Sequence, residues 1–299
     1  AKSVDYAINV LAKKHYRPFF LACGIFRPHL PWYAPKRFFD LYPLEKIRLP
    51  QLLANDLADV PAQGRALSAK RRAEFLNIKK HGKWKEAIQA YLASISFADA
   101  QLGRLLDALD HSAHRRNTIV VFWSDHGWHL GEKNHWHKST LWEEATRIPF
   151  LIAAPGVTKG GTTCPRPVDT LSIYPTLLEL CGLKPMPGLD GTSIVPLLKN
   201  PAAPWAIPAI TEFQRGQCAV RSERYRYIRY ADGTEELYDH AKDPNEWTNL
   251  TGAVKYKPVI QKLAPWIPKQ FAPNAPSKNA YLFDPKAYSW TLKTKNYKK

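Results

Sequence analysis

The sequence has few cysteines and lacks any long apolar run. Its four cysteines, Cys23, Cys164, Cys181 and Cys218, lie far apart in 299 residues, and no two of them form a CxxC pair. This spacing excludes the common zinc-ligand motifs and defines no disulfide framework. Because no stretch of about 18 consecutive apolar residues occurs, the sequence predicts no membrane span.

Acidic residues are also scarce. The 26 Asp and Glu against 43 Lys and Arg give a formal net charge of +17. This charge predicts attraction to anions, such as nucleic acid or acidic glycans, or simply a solvated basic surface. The basic residues are spread along the chain without a zinc-finger, RRM-like or homeodomain-like pattern, so we expect no nucleic-acid partner.

Three short apolar runs, at residues 19–23, 118–123 and 149–153, predict the central strands of a domain. Short, continuous apolar runs are typical of strands buried in a parallel sheet. Residues 84–110 carry apolar side chains at helical spacing and predict a long helix, and residues 2–15 predict another. The order strand, helix, strand favours an α/β fold with a mostly parallel sheet covered by helices.

Changes in composition divide the chain into three parts. We expect residues 1–200 to form the α/β core, with residues 41–83 as a long excursion over its surface that has only weak helical character near residues 69–77. Short alternating strands and a turn at residues 231–234 predict a small antiparallel subdomain over residues 201–264. The tail at residues 265–299 is rich in Pro, Lys and Tyr, and is expected to be extended and weakly ordered.

Metal-binding and proton-handling side chains follow the second predicted strand. Asp125 and His126 come directly after it, and Lys138 lies a short distance further on. Ligands bind beyond the carboxyl ends of strands in open parallel sheets, so we expect a site here. The residue types alone leave ordinary roles open, because Asp125 could form a strand-ending turn and Lys138 could be a solvated lysine.

Five stretches carry a resemblance to a known family, in family order. They are PFFLACGIFRPHLPWYAPKRFFDLYPLEKIRLP from Pro18, AYLASISFADAQLGRLLDALD from Ala90, TIVVFWSDHGWHLGEKNHWHKSTLWEEATRIPFLIAAPGV from Thr118, VDTLSIYPTLLELCGL from Val168 and ELYDHAKDPNEWTNL from Glu236. The chain resembles the type I sulfatases of the alkaline-phosphatase superfamily, and among them the iduronate-2-sulfatase branch. The resemblance implies an alkaline-phosphatase-like fold and hydrolysis of sulfate esters on sulfated sugars.

The resemblance implies catalytic and metal-binding roles for four residues. Asp125 and His126 match a pair of calcium ligands, although hard cations prefer oxygen donors and many sulfatases carry Asn at the second position. Histidine at that position matches the iduronate branch. Lys138 matches the lysine that contacts the sulfate, and His29 matches a histidine that binds sulfate and helps to protonate the leaving oxygen.

Trp128 and His129 follow the matched metal ligands, and we expect them to line the mouth of the substrate site. An aromatic face and a hydrogen-bond donor suit a sugar ring, while a loop-packing role is the alternative for Trp128. His135 and His137 could form a zinc site with Asp125, but the sulfatase motif already accounts for this stretch.

The family nucleophile is a formylglycine made from Cys or Ser in a C-x-P/A-x-R motif, which these 299 residues lack. The nearest string, CPRP from Cys164, has the wrong spacing. The family's other calcium ligands and its second Lys and His are also unmatched. We therefore expect a C-terminal portion of a sulfatase, whose parent carries the formylglycine and resides in a secreted, periplasmic or lysosomal location.

Two other functions stay open. A non-catalytic relative that retains anion affinity would lack C-x-P-S-R in the coding frame upstream of Ala1, whereas an enzyme would have it. A related phosphodiesterase or phosphatase is less favoured, because such two-metal relatives need further His and Asp ligands that have no match here.

The 299-residue chain is predicted to release no sulfate from a chromogenic aryl sulfate. Without a nucleophile no covalent intermediate can form. The control is Lys138→Ala, and sulfate release by the purified unmodified chain above that control would contradict the prediction.

Overall fold

A computed structural model describes residues 2–274 and 281–292 of the chain, and helices dominate its first part. The four helices here are α1 (Lys2–Leu11), α2 (Lys36–Phe39), α3 (Ala62–Lys80) and α4 (Trp84–Asp110). The two long periodic stretches are confirmed as helices, and α1 and α2 pack against α4. Among the described residues, no helix is long and apolar enough to cross a membrane.

The segment at residues 41–83 is not a loop excursion. It contains a 3-10 helix (Leu44–Lys46) and the 19-residue helix α3. Gly64, Ser68 and Phe75 of α3 are buried. The loop prediction was wrong because two of these three buried residues, Gly64 and Ser68, are small and give no apolar periodicity in the sequence.

The central strands pair differently from the prediction. Strands β1 (Val120–Trp123) and β4 (Phe150–Ala153) form an antiparallel pair, with Trp123 opposite Phe150. A parallel pair needs a crossover, but the connection between them returns to the same end of β1, where Ser124 N donates to Pro149 O (3.4 Å). Residues 19–23 form no strand.

These apolar runs are also less buried than expected. Trp123, Leu151 and Phe20 are 46%, 58% and 84% exposed. Within the described residues, β1 and β4 bond only to each other. The expectation of three buried parallel strands was therefore wrong for this chain, since apolar composition marks segments that can be buried and does not specify what covers them.

Short elements lie between and after these strands. They are β2 (His129–Leu130), a 3-10 helix (Glu132–Asn134), β3 (Trp136–His137), α5 (Glu143–Thr146), a 3-10 helix (Thr170–Ser172), α6 (Ile173–Leu180) and α7 (Val195–Lys199). Helix α6 carries Pro175 in its first turn, where proline is tolerated.

The antiparallel C-terminal sheet is confirmed. It has four strands in chain order, β5 (Ala209–Glu212), β6 (Cys218–Arg221), β7 (Tyr225–Arg229) and β8 (Glu235–Asp239). Alternate side chains bury both faces. One face, with Tyr227 and Leu237, packs near helix α8 (Lys257–Leu263), and the other, with Ile228 and Tyr238, packs against Leu141 and Trp142. Two further 3-10 helices flank α8 (Val254–Tyr256 and Ala264–Trp266).

Part of the predicted extended tail forms a hairpin. Strands β9 (Tyr281–Asp284) and β10 (Ser289–Leu292) pair antiparallel, with the rings of Phe283 and Trp290 4.7 Å apart. Alternating apolar residues favour this pairing, which the expectation of weak order overlooked. The remaining tail positions, 275–280 and 293–299, lie outside the described residues.

Gly64→Ala is predicted to destabilise the fold by about 1–3 kcal/mol, the usual cost of overpacking. An added Cβ would lie 2.5 Å from the buried Tyr230 hydroxyl and 2.9 Å from Glu236 Oε1. Gly103→Ala in α4 is the matched control, because its Cβ would meet no heavy atom within 4 Å. Equal urea midpoints for the two variants would contradict the prediction.

Candidate active site

The segment after β1 brings three of the predicted residues together. Asp125 Oδ2 lies 3.5 Å from His126 Nε2, and Lys138 Nζ lies 2.6 Å from the same nitrogen. All three line a cavity of about 2720 Å³. Asp125 is exposed, whereas His126 and Lys138 are half-buried. Three of the four residues that we expect to share one pocket, His29 being the fourth, therefore meet here, and their roles stay predictions.

Local hydrogen bonds orient the His126 ring. Its Nδ1 lies 2.7 Å from Gly127 O. A carbonyl oxygen can only accept, so Nδ1 carries the proton and Nε2 presents a lone pair to Lys138. Gly127 N donates to Ala145 O (2.8 Å), and a Cβ at Gly127 would lie 2.1 Å from Glu144 O. Only glycine fits this close approach of the site loop to α5.

The turn that carries Lys138 has an unusual backbone. Lys133, Asn134, His137 and Ser139 have φ of 56°, 49°, 75° and 82°. Side-chain-bearing residues rarely adopt this region, and such strain persists only where the surroundings enforce it. Lys138 therefore sits between two strained residues.

His129 does not line a substrate mouth, so that expectation was wrong. Its side chain is 0% exposed, with Nε2 2.9 Å from Thr140 Oγ1 and Nδ1 3.2 Å from Glu132 O. Burial lowers the pKa of His129 well below its ordinary value, which favours the neutral ring. The sequence position next to the metal motif gives no indication of this burial.

Trp128 takes its alternative role as a packing residue. It is 8% exposed, and its ring lies 4.3 Å from the His137 ring and 5.9 Å from the Tyr91 ring. Its indole N–H is buried without a hydrogen-bond partner among the described residues. Trp128 thus forms a wall behind the site and does not present its face to a ligand.

His29 lies on an exposed loop that contacts this wall. Trp32 Nε1 donates to Pro28 O (2.7 Å), and the Trp32 ring lies 5.9 Å from the Trp128 ring. The ring of Trp128 is in turn 6.3 Å from that of His126. The only hydrogen bond found for the His29 ring among the described residues is to Leu30 O (2.6 Å). The structure therefore brings the loop near the site without joining His29 to Lys138.

Two histidines that the sequence left without an assigned role support the turn. His135 contacts Ser68 and the Lys138 carbonyl, and His137 Nε2 lies 3.3 Å from Glu74 Oε2. Burial lowers the pKa of each ring to about 4. Because these contacts engage the two rings, the structure does not support a zinc site with Asp125.

A second cluster, Glu143, His240 and Glu246, has ligand atoms within 4.8 Å of one another. The buried Arg226 pairs with Glu246 through Nε (2.7 Å) and donates to Glu143. Burial opposes ionisation of Glu143, but Arg226 and Arg221 outweigh it and hold its pKa at about 2. The carboxylates are already neutralised, so this cluster is an ion-pair core and does not fit a metal.

The implied calcium finds only part of its ligand set here. Ca²⁺ takes six to eight oxygen ligands, whereas Asp125 and His126 offer one carboxylate and one imidazole nitrogen. The Lys138 ammonium also contacts that nitrogen. The described residues at this position alone therefore do not fit a calcium ion.

Comparison with known proteins identifies the family. The family model described as Sulfatase matches residues 1–183, and that for N-sulphoglucosamine sulphohydrolase, C-terminal, matches residues 131–271. A protein named Sulfatase from Formosa agariphila is 43% identical over 285 residues, which cover 95% of this chain and 56% of that protein. Iduronate 2-sulfatase from Homo sapiens is 34% identical over 221 residues, covering 62% of this chain and 40% of its own length.

A solved structure of a protein described as a 2-O GAG sulfatase has a TM-score of 0.70 and 25% identity over 87% of this chain and 60% of that chain. The fold class is that of an alkaline-phosphatase-like α/β protein. The chain belongs to the sulfatase family, whose members are sulfuric ester hydrolases. It spans about half the length of the curated relatives that it matches.

The penalty for His135→Gln is predicted to depend on pH. Burial lowers the pKa of the His135 ring from the ordinary value of about 6.5 to about 4, so the neutral buried ring contributes stability above pH 6.5 that is lost as pH falls toward 4. The unfolding free energy lost in the variant should shrink by about 2 kcal/mol between neutral pH and about pH 5.

Urea unfolding of wild type and variant at both pH values measures this difference. His111→Gln, at an exposed ring on the α4 C-terminus, is the control and should show no comparable change. A His135→Gln penalty that is equal at the two pH values would refute a buried, neutral ring.

Proposed function

We propose that this chain supplies the sulfate-binding side of an active site that hydrolyses sulfate esters of carbohydrates, in the manner of an iduronate-2-sulfatase. The observation that carries the proposal is the contact of Asp125, His126 and Lys138 in one open cavity. Family membership supports the reaction class. Relatives named for iduronate and GAG sulfate esters support the sulfated sugar, and the net charge of +17 suits an anionic substrate.

Lys138 would bind a non-bridging sulfate oxygen. Its ammonium is a compact charge with three donors, and it faces the cavity beside His126. An incoming sulfate offers a full negative charge in place of the neutral imidazole nitrogen, so the ammonium would favour the anion. The strained turn fixes the lysine backbone, which suits a group that must hold charge developing on the sulfate oxygens.

His29 would act at the leaving oxygen. Imidazole can donate a proton near neutral pH, which the departing alkoxide requires. Arg27 braces the loop by donating from Nε to Tyr33 O (2.9 Å) and from Nη1 to His29 O (3.1 Å). The Trp32 contact with Trp128 supports its placement near the site.

The resemblance implies that Asp125 and His126 contribute two ligands of a calcium site whose other ligands have no match among these 299 residues. Formylglycine, expected in the parent protein, would supply the nucleophile. A secreted, periplasmic or lysosomal location of the parent stays a prediction from the family resemblance.

A non-catalytic anion-binding relative is the second candidate. The contact of Lys138 with His126 in an open cavity would allow anion binding with or without a C-x-P/A-x-R motif. Reading the coding frame upstream of Ala1 separates the two candidates, because the enzyme requires that motif there.

In the protein expressed from the whole coding frame, Lys138→Ala is predicted to lower kcat for a chromogenic aryl sulfate about 100- to 1000-fold, as for loss of one oxyanion contact. Lys159→Ala is the control, since Lys159 is an exposed lysine on the wall of the same cavity. Similar turnover by the two variants would argue against a sulfate contact at Lys138.

A further inference from the structure

A buried hydrogen-bond relay links α3 to the backbone of Lys138. Ser68 Oγ lies 2.9 Å from His135 Nδ1, and His135 Nε2 lies 3.0 Å from Lys138 O. Ser68 and His135 are both 0% exposed. Neither side chain can touch a ligand in the cavity, so any influence on the site must pass through Lys138.

The chemistry fixes the direction of the relay. The Lys138 carbonyl can only accept, so Nε2 of His135 carries the proton. In the neutral ring Nδ1 is then an acceptor, and the Ser68 hydroxyl donates to it. One tautomer and one ring orientation satisfy both bonds.

The relay acts where the backbone most needs support. His137 and Ser139, on either side of Lys138, have φ of 75° and 82°. The His137 ring is held separately, by Trp128 at 4.3 Å and by Glu74 of α3 at 3.3 Å. Helix α3 thus fixes both the residue before Lys138 and the carbonyl of Lys138 itself.

We propose that Ser68 and His135 are positioning residues that hold the Lys138 backbone so that its ammonium meets the substrate anion. This inference rests on the proposed function, because it requires Lys138 to bind sulfate. It adds a role for α3, a segment in which the sequence showed no site.

The test is isothermal titration calorimetry, in which inorganic sulfate is titrated into the 299-residue chain. His135→Ala should weaken sulfate binding about fivefold, the order expected from one hydrogen bond. Ser68→Ala should weaken it in the same direction. His135→Gln, whose amide N–H can donate to Lys138 O, should recover part of the affinity, and His111→Ala is the matched control.

A double-mutant cycle separates positioning from general stability. In a Lys138→Met background, His135→Ala should cause no further loss of sulfate affinity. If the losses of sulfate affinity caused by Lys138→Met and by His135→Ala add in full in the double variant, His135 has a purely structural role and the proposal is overturned. Thermal unfolding of each variant verifies that it is folded, and if His135→Ala does not fold, Ser68→Ala decides.

The sulfate contact at Lys138 and the positioning role of Ser68 and His135 are contradicted by different results. If Lys138→Met binds sulfate as tightly as wild type, the sulfate contact in the proposed function is wrong, and the positioning role falls with it. If Lys138→Met weakens binding but folded Ser68→Ala and His135→Ala variants bind like wild type, only the positioning role is overturned.

Discussion

The buried guanidinium of Arg226 is the interaction on which the rest of the arrangement depends. It is 2% exposed and joins Glu143, Glu246 and the carbonyl of Leu141 (3.1 Å). A buried charge is tolerated only when it is paired, and loss of one partner leaves the others uncompensated. This pairing fixes residues 141–143, which follow the turn that carries Lys138, to the C-terminal sheet. The sheet therefore supports the candidate site from below.

Other buried polar groups extend that base. Glu236 accepts hydrogen bonds from Trp142, Tyr230 and Tyr238, and burial raises its pKa. Lys133 pairs with Asp56 at 2.9 Å, each with a side chain 2% exposed. These contacts hold residues 133–143 in place, while Asp125, nearer to β1, stays exposed. Rigid support beneath an accessible group is what a preorganised binding site requires.

Local patterns in the sequence predicted part of this structure. Helices α1 and α4 and strands β6 to β8 follow from periodicity, and Asp125, His126 and Lys138 follow from one short motif. Contacts between distant segments could not be predicted in this way. Ser68 meets His135 across 67 positions and Arg226 meets Glu143 across 83, and neither pair leaves a periodic signal.

The same limit explains the errors. The apolar composition of β1 and β4 gave no information on their antiparallel pairing, and the motif beside His129 gave none on its burial. The division of the chain at residues 200 and 264 stays a prediction, as do the roles of His29, Asp125, His126 and Lys138.

A crystal structure of the chain grown in sulfate tests the central claim most directly. We expect a tetrahedral anion with an oxygen about 2.8 Å from Lys138 Nζ, on the side of the cavity that Asp125 and His126 share. Sulfate bound only elsewhere, with the Lys138 ammonium still on His126 Nε2, would contradict it.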